Sequence, residues 1–294
     1  MAPANREYVG PYRLLYIVAT SRTALIAEAL LDAERRRVAI KMLRPQFTRD
    51  KEQIRLFKHE YAVGHSIEHE RLVHIYELVI ERDLVYMSME FFPDRNLKQA
   101  IQQGAERIAY QVPKIIQQAA EGLAYFHGQG WIHRDIKPDN FLVNRSGEVK
   151  LIDYALAQRP KGGFARLIGG RAKVQGTRSY MAPEQIEGKH LSLQTDLYSF
   201  GCSLFELVRG KPPYTGISSN DLLSKHLKAP IPLLSQGGSN VTQEFAGLVK
   251  RLMAKRPADR PATMEEFLEE FCRIEVFTRP PQPPADEIEA ERGK

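Results

Sequence analysis

The eight residues His133-Arg134-Asp135-Ile136-Lys137-Pro138-Asp139-Asn140 put a candidate base, two cations and a metal-ligating amide on one short stretch of chain. Those are the groups that phosphoryl transfer asks of a protein. Its transition state spreads negative charge over three phosphoryl oxygens, so a hydroxyl has to be positioned, charge neutralised and a divalent cation held. Asp135 suits the first task, Lys137 the second and Asn140 the third.

The elements that must carry these residues are legible in the hydrophobic pattern. Residues 38–43 and 84–91 are apolar and β-rich, while 51–68 shows helical spacing through Ile54, Phe57 and Tyr61. Helices dominate after Asn96. Ile115, Ala119, Gly122, Leu123 and Phe126 mark one amphipathic helix, 197–208 is apolar enough to be a buried one, and 242–253 is another. From Thr278 to Lys294, four prolines precede Asp286, Glu287, Glu289 and Glu291, a composition that builds no core and is expected to be disordered. No internal repeat is present.

At 294 residues and 43% hydrophobic content the chain is long enough to bury substantial cores. Its two cysteines, Cys202 and Cys272, are too few for a disulfide framework and read as reduced core residues. With no run of about 18 apolar residues and no charged-then-apolar start, a soluble, cytoplasmic protein away from membranes is expected. The net charge is +6, and Arg159, Lys161, Arg166, Arg171, Lys173 and Arg178 fall between Ala155 and Pro183 without one acidic residue. That run is either a solvated loop or a surface for an acidic protein partner. Nucleic acid is not expected, because Phe164 alone interleaves these charges.

The octapeptide matches H-R-D-x-x-x-x-N, and it is accompanied in order by Val38-Ala39-Ile40-Lys41, Asp153-Tyr154-Ala155, Ala182-Pro183-Glu184, Asp196-Leu197-Tyr198-Ser199-Phe200-Gly201 and Arg260 within Pro257-Ala258-Asp259-Arg260-Pro261. This set resembles the eukaryotic-type protein kinase family, serine/threonine branch, in the compact form of the bacterial members. The resemblance covers residues 10–275. It implies an α+β, bilobal kinase-like fold, with a small β-rich lobe over about 10–92, a larger helical lobe over about 96–275 and a cleft between them. It also implies ATP, with Mg²⁺ or Mn²⁺, as the phosphoryl source and a protein as the acceptor; oligomeric state is left open.

Site residues carry over position by position. Lys41 is expected on the ATP phosphates, paired with Glu60, which lies nine residues before His69. For adenine the resemblance implies Ile17, Leu25 and Ala39 above, Leu142 and Ile152 below, Met89 behind, and backbone groups of Glu90 and Phe92. Asn96 is placed either to reach the ribose or to cap the following helix. Asn140 and Asp153 are the metal ligands, and Asp135, Lys137 and Thr177 the catalytic group. Lys137, two residues after the Asp, and Thr177 resemble the serine/threonine branch.

Three departures stand out. Where the family has G-x-G-x-x-G, the alignment gives Val18-Ala19-Thr20-Ser21-Arg22-Thr23, with no glycine. Backbone amides should therefore cover phosphate less closely, with the side chains of Ser21, Arg22 and Thr23 as partial substitutes. Tyr154-Ala155 replaces Phe-Gly. Gly64, one turn after Glu60, stands where a large apolar residue is usual; a mid-helix glycine costs about 1 kcal/mol relative to alanine, so outside support for the helix is expected. Between Asp153 and Gly176 the only hydroxyl is that of Tyr154, which implies activity without phosphorylation of that stretch. Phosphorylation of Ser/Thr hydroxyls on proteins is the leading expectation. A pseudokinase scaffold is the alternative, and a small-molecule phosphotransferase a third reading.

Overall fold

The structure, a computed structural model, describes residues 7–160, 175–235 and 240–284. Lys161, Arg166, Arg171 and Lys173 of the basic run and the acidic residues of the tail lie outside them. The chain divides into two compact units: residues up to Pro93 together with Ile152–Ala155, and Asp94–Leu151 together with the chain from Leu156 onward. The first is β-rich and the second helical, an α+β composition.

The first unit contains β1 (Tyr8–Val9), β2 (Tyr12–Thr20), β3 (Ala24–Leu31), β4 (Arg36–Leu43), α1 (Lys51–His65), β5 (Ile75–Ile80) and β6 (Val85–Glu90). The strands form one antiparallel sheet in the order β1-β2-β3-β4-β6-β5. The β3–β4 hairpin pairs Leu31 with Arg36, and its turn is closed by Arg35 at φ 51°. That closure fixes every later pair, because side chains alternate between faces. Leu25, Ala27 and Ala29 lie opposite Met42, Ile40 and Val38, and all six are in the buried core of this sheet. The other face takes Ile26 opposite Lys41 and Glu28 opposite Ala39. Helix α1 starts at Asp50, whose carboxylate accepts from the amides of Glu52 and Gln53 at 2.9 and 3.1 Å.

The second unit runs through β7 (Arg95–Asn96), α2 (Leu97–Gln102), α3 (Val112–Gly128), β8 (Phe141–Val143), β9 (Val149–Leu151), α4 (Pro183–Ile186), α5 (Leu193–Arg209), α6 (Ser219–Lys228), α7 (Gln243–Leu252) and α8 (Met264–Phe271). Helix α5 is buried over nearly its whole length, as its sequence predicts. Asn96 caps α2: its side chain accepts from Gln99 N at 2.9 Å, and Gln99 Oε1 accepts from Asn96 N at 3.0 Å. Among the described residues no helix is long and apolar enough to cross a membrane. The tail is ordered further than expected. Thr278 N donates to Asn240 O at 2.9 Å and Arg279 N to Asn240 Oδ1 at 2.8 Å, so its first residues are tied down.

One packing feature makes stability depend on pH. His226 on α6 is fully buried, shares a 2.9 Å hydrogen bond with the Tyr198 hydroxyl, and has the Lys255 ammonium 2.8 Å from its own carbonyl. Burial, then the Lys255 charge, pulls its pKa from 6.5 down to about 4. The unfolded chain therefore binds the extra proton first as pH falls. Stability is intact above pH 6.5 and declines toward pH 4, by up to about 3 kcal/mol. Urea melts at pH 7, 5.5 and 4.5 are expected to show this slope, and His226→Asn to flatten it; an unchanged slope in the variant would refute the assignment.

Candidate active site

In β4 the alternation Val38-Ala39-Ile40-Lys41 sends Val38 and Ile40 into the core and turns Lys41 to the opposite face. There Lys41 Nζ lies 2.7 Å from each carboxylate oxygen of Glu60 on α1 and 3.8 Å from Asp153 Oδ1. Burial works against both charges of the pair and pushes the Glu60 carboxyl up. For Lys41 burial is outweighed by Glu60 and Asp153, which hold the ammonium above its ordinary pKa. The group borders a cavity of about 300 Å³ lined by Ala19, Thr20, Ser21, Ile26 and Phe57 among others. Lys41 is the cationic side chain bordering this cavity, and Glu60 and Asp153 fix its position.

The same register corrects the expectation for Leu25 and places Ile17 and Val18. Leu25 is in the core on the far side of the sheet from Lys41, and Ile26 takes the place assigned to it. Ile17 pairs with Ala27, a core-face residue, and Val18 falls at the irregularity between the Ile17 and Ala19 pairs, its side chain exposed. Ala19, opposite Ile26, is the β2 residue on the Lys41 face. The loop is thus Ala19-Thr20-Ser21-Arg22-Thr23-Ala24, one residue later than aligned and still without glycine. It does not need one. Ser21 N donates to Ala24 O at 2.9 Å, the Ser21 hydroxyl accepts from Ala24 N at 3.0 Å, and no residue of the turn takes a positive φ. Ser21 is therefore committed to closing the hairpin, which removes it from the expected phosphate donors.

Ala39 pairs with Met89, and the Glu90 amide is taken by His74 O at 2.9 Å. Phe92 lies two residues beyond β6, and its amide makes no backbone hydrogen bond to a described residue. Ile152 belongs to the first unit, whereas Leu142, in β8 opposite Asn96, belongs to the second. Asn96 uses its side chain as a helix cap, which decides between its two expected roles.

Asp153 sits at φ 68°, a left-handed conformation that a non-glycine residue adopts at some cost. Tyr154 beside it is buried, and its hydroxyl donates to Val73 O at 2.9 Å. At Gly64, where outside support for α1 is expected, side chains from beyond the helix pack against it. A Cβ at Gly64 would lie 2.4 Å from Ile75 Cδ1 and 2.9 Å from Tyr154 Cδ2, so the space is already filled by those two side chains.

In the second unit the loop 133–140 is held from below by Asp196 on α5, whose fully buried carboxylate accepts from His133 N at 2.7 Å and Arg134 N at 2.8 Å and contacts His127 Nε2 at 2.9 Å. Arg134 takes φ 71° in that anchored turn. Above it, Asp135, Lys137 and Thr177 close a triangle. Lys137 Nζ is 2.6 Å from Asp135 Oδ2 and 2.8 Å from Thr177 Oγ1, and Thr177 donates to Asp135 Oδ1 through its amide at 2.9 Å and its hydroxyl at 3.0 Å. Gly176, at φ 118°, allows this approach; a Cβ there would come within 3.1 Å of Arg134 O. Asn140 Nδ2 donates to Asp135 O at 2.8 Å, which commits the amide nitrogen and leaves Oδ1 as the atom expected to meet a metal.

These features have a counterpart among known proteins. The protein kinase domain family model matches residues 22–272. The chain belongs to that family. This kinase domain is 32% identical over 266 residues to the serine/threonine-protein kinase PrkC of Bacillus subtilis, covering 90% of this chain and 40% of PrkC. It is 30% identical over 284 residues to PknA of Corynebacterium glutamicum, covering 95% of this chain and 59% of that protein. It is 30% identical over 279 residues to PknA of Mycobacterium tuberculosis, covering 93% and 63%. The kinase domain thus spans about 40–63% of the length of these relatives.

Sequence reasoning missed further parts of the kinase domain's second unit. Gln185 Nε2 donates to Gln175 O at 2.7 Å and Arg134 O at 3.0 Å, clamping the Thr177 segment to the loop. Lys98 and Tyr180 both hydrogen-bond the buried carboxylate of Glu206. The signal for Gln185 was its place directly after Ala182-Pro183-Glu184; for the Lys98 cluster, spread over three segments, there was none.

Proposed function

We propose that this domain transfers the γ-phosphoryl group of ATP to serine or threonine hydroxyls of protein substrates. The observation that carries this reading is the Asp135–Lys137–Thr177 triangle, a carboxylate held by a cation and two donors on a loop anchored from beneath. Asp135 orients the acceptor hydroxyl and takes its proton as the oxygen attacks phosphorus and the bond to ADP breaks. Lys137 neutralises charge on the phosphoryl oxygens, and Lys41, fixed by Glu60, does so on the phosphates of the leaving group. Asn140 and Asp153 are the residues that would hold Mg²⁺; an amide oxygen and a carboxylate are suitable hard donors. When bound, the metal supplies neutralisation of phosphate charge. Ile26 and Ala39, with Met89, are the apolar surfaces offered to adenine from the first unit.

Two finer readings accompany this. The exposed Arg178 beside Thr177 supports an acidic segment around the acceptor hydroxyl. The unpaired cysteines, Cys202 buried and Cys272 exposed, support action in the reducing cytoplasm.

The test is transfer of labelled γ-phosphate from Mg-ATP to the protein and to acidic and basic Ser/Thr peptides. Transfer favouring the acidic peptide is expected. No transfer to any acceptor with Mg²⁺ or Mn²⁺, by a folded chain, would overturn the enzyme reading in favour of a binding scaffold.

A further inference from the structure

Arg178 follows Thr177 directly, is exposed, and donates through Nη1 to the hydroxyl of Ser219, the first residue of α6. That bond ties the segment beside the Asp135–Lys137–Thr177 triangle to a helix 41 residues further along the chain. The neighbouring polar groups at this end of α6 are spent on one another. Ser218 Oγ accepts from Asp221 N at 3.1 Å, and Asp221 Oδ2 accepts from Ile217 N at 3.1 Å and pairs with Lys225 at 3.1 Å. Asp221 thus has its own cation. Arg178 meets a neutral hydroxyl instead, which uses little of a guanidinium's capacity for two-pronged bonding to an anion. Residues 215–220 are all exposed, Ile217 completely, so Ser219 lies on a stretch that another molecule can reach.

We propose that Ser219 is phosphorylated by a second copy of this chain, and that the phosphate then claims Arg178 and withdraws it from acidic substrates. The inference rests on the phosphotransfer reading and gives that site a regulation of its own. In the step, Ser219 Oγ bonds to the γ-phosphorus of ATP, the bond from that phosphorus to the ADP oxygen breaks, and the hydroxyl proton passes to Asp135 of the catalysing copy. A charge of about −1.5 to −2 and three strong acceptor oxygens then stand where a neutral hydroxyl stood, on the side chain that Arg178 already touches. Ser219 lies outside residues 154–176, so activity without phosphorylation of that stretch is untouched.

The experiment incubates the full chain with Mg-ATP and maps phosphate by mass spectrometry, beside a full chain made with phosphoserine installed at position 219. Phosphate on Ser219 is expected from the active chain and none from Asp135→Asn. In phosphorus NMR the installed phosphate should titrate below its usual value of about 6, and Arg178→Gln should return it toward that value. KM for the acidic peptide should rise about five-fold in the phosphorylated chain, the worth of an exposed ion pair at the upper end of its range, with KM for the basic peptide unchanged. Ser219→Ala should match the unmodified chain on both peptides. Peptide phosphorylation by a chain that leaves Ser219 unmodified would overturn the modification site. A phosphate that titrates alike with and without Arg178, or an unchanged KM for the acidic peptide, would overturn the pairing and its consequence. A chain that transfers no phosphate at all would instead defeat the phosphotransfer reading and self-modification with it, while the titration still decides whether Arg178 is the phosphate's partner.

Discussion

Asp135→Asn is expected to lower phosphoryl transfer by roughly 10²–10⁴-fold, the range ascribed to a positioned general base, while Mg-ATP affinity and the melting temperature change little. The substitution is nearly isosteric, and an amide oxygen at the Oδ1 position still accepts from the Thr177 amide and hydroxyl. What changes is the other atom. An NH₂ group would face the Lys137 ammonium, which now lies 2.6 Å from Oδ2, and would offer no site for the acceptor's proton. The measurement is labelled transfer under single-turnover conditions beside a calorimetric ATP titration. A rate within about five-fold of native, far short of a general-base effect, would mean that the proton leaves by another route and that the triangle is structural.

The reading of Asp135 was open to the sequence because everything that positions it is local or repeated in a motif. Asp135, Lys137 and Asn140 sit within six residues, and Asp196, which holds their loop, lies at the head of a helix whose burial is plain from its composition. The nucleotide face of the sheet was less legible. Lys41 could be placed from the three apolar residues before it, but its neighbours on β3 depend on where the hairpin closes, and the Asp32–Arg35 turn carries no glycine-based signal. A displacement of one residue exchanged Leu25 for Ile26 and moved both from one face of the sheet to the other. What packs on Gly64 was illegible for a different reason. Helix propensity prices a glycine by what its own backbone loses, whereas its value here is set by Tyr154 and Ile75, residues 90 and 11 positions away that need the space. Ser21 belongs with it: a hairpin without glycine looks deficient until the hydroxyl that closes the turn is seen.

The same distinction, between what a residue is and what it is left with, governs the largest stability effect expected. Glu184 on α4 and Arg260 meet in a two-pronged ion pair, 2.7 and 2.9 Å, with the guanidinium fully buried and the carboxylate nearly so. Arg260 further donates to the carbonyls of Ala254 and Gln194 at 2.8 and 2.7 Å and lies 5.0 Å over the Tyr198 ring. Either partner alone would be a buried charge without its counter-ion, so Glu184→Ala and Arg260→Ala are each expected to cost about 3–5 kcal/mol. Replacing both with methionine should cost distinctly less than the two singles combined, because no orphan remains. Urea denaturation followed through the second unit tests this, and a loss below about 1 kcal/mol in either single would place the pair among the weak ones. The effect should not stop at stability. Glu184 adjoins Gln185, whose amide holds Gln175 O and Arg134 O on either side of the Gly176–Thr177 approach to Asp135. At a temperature where the Glu184→Ala chain is still folded, its turnover should therefore fall further than its folded fraction accounts for, and a proportional fall would confine the pair to scaffolding.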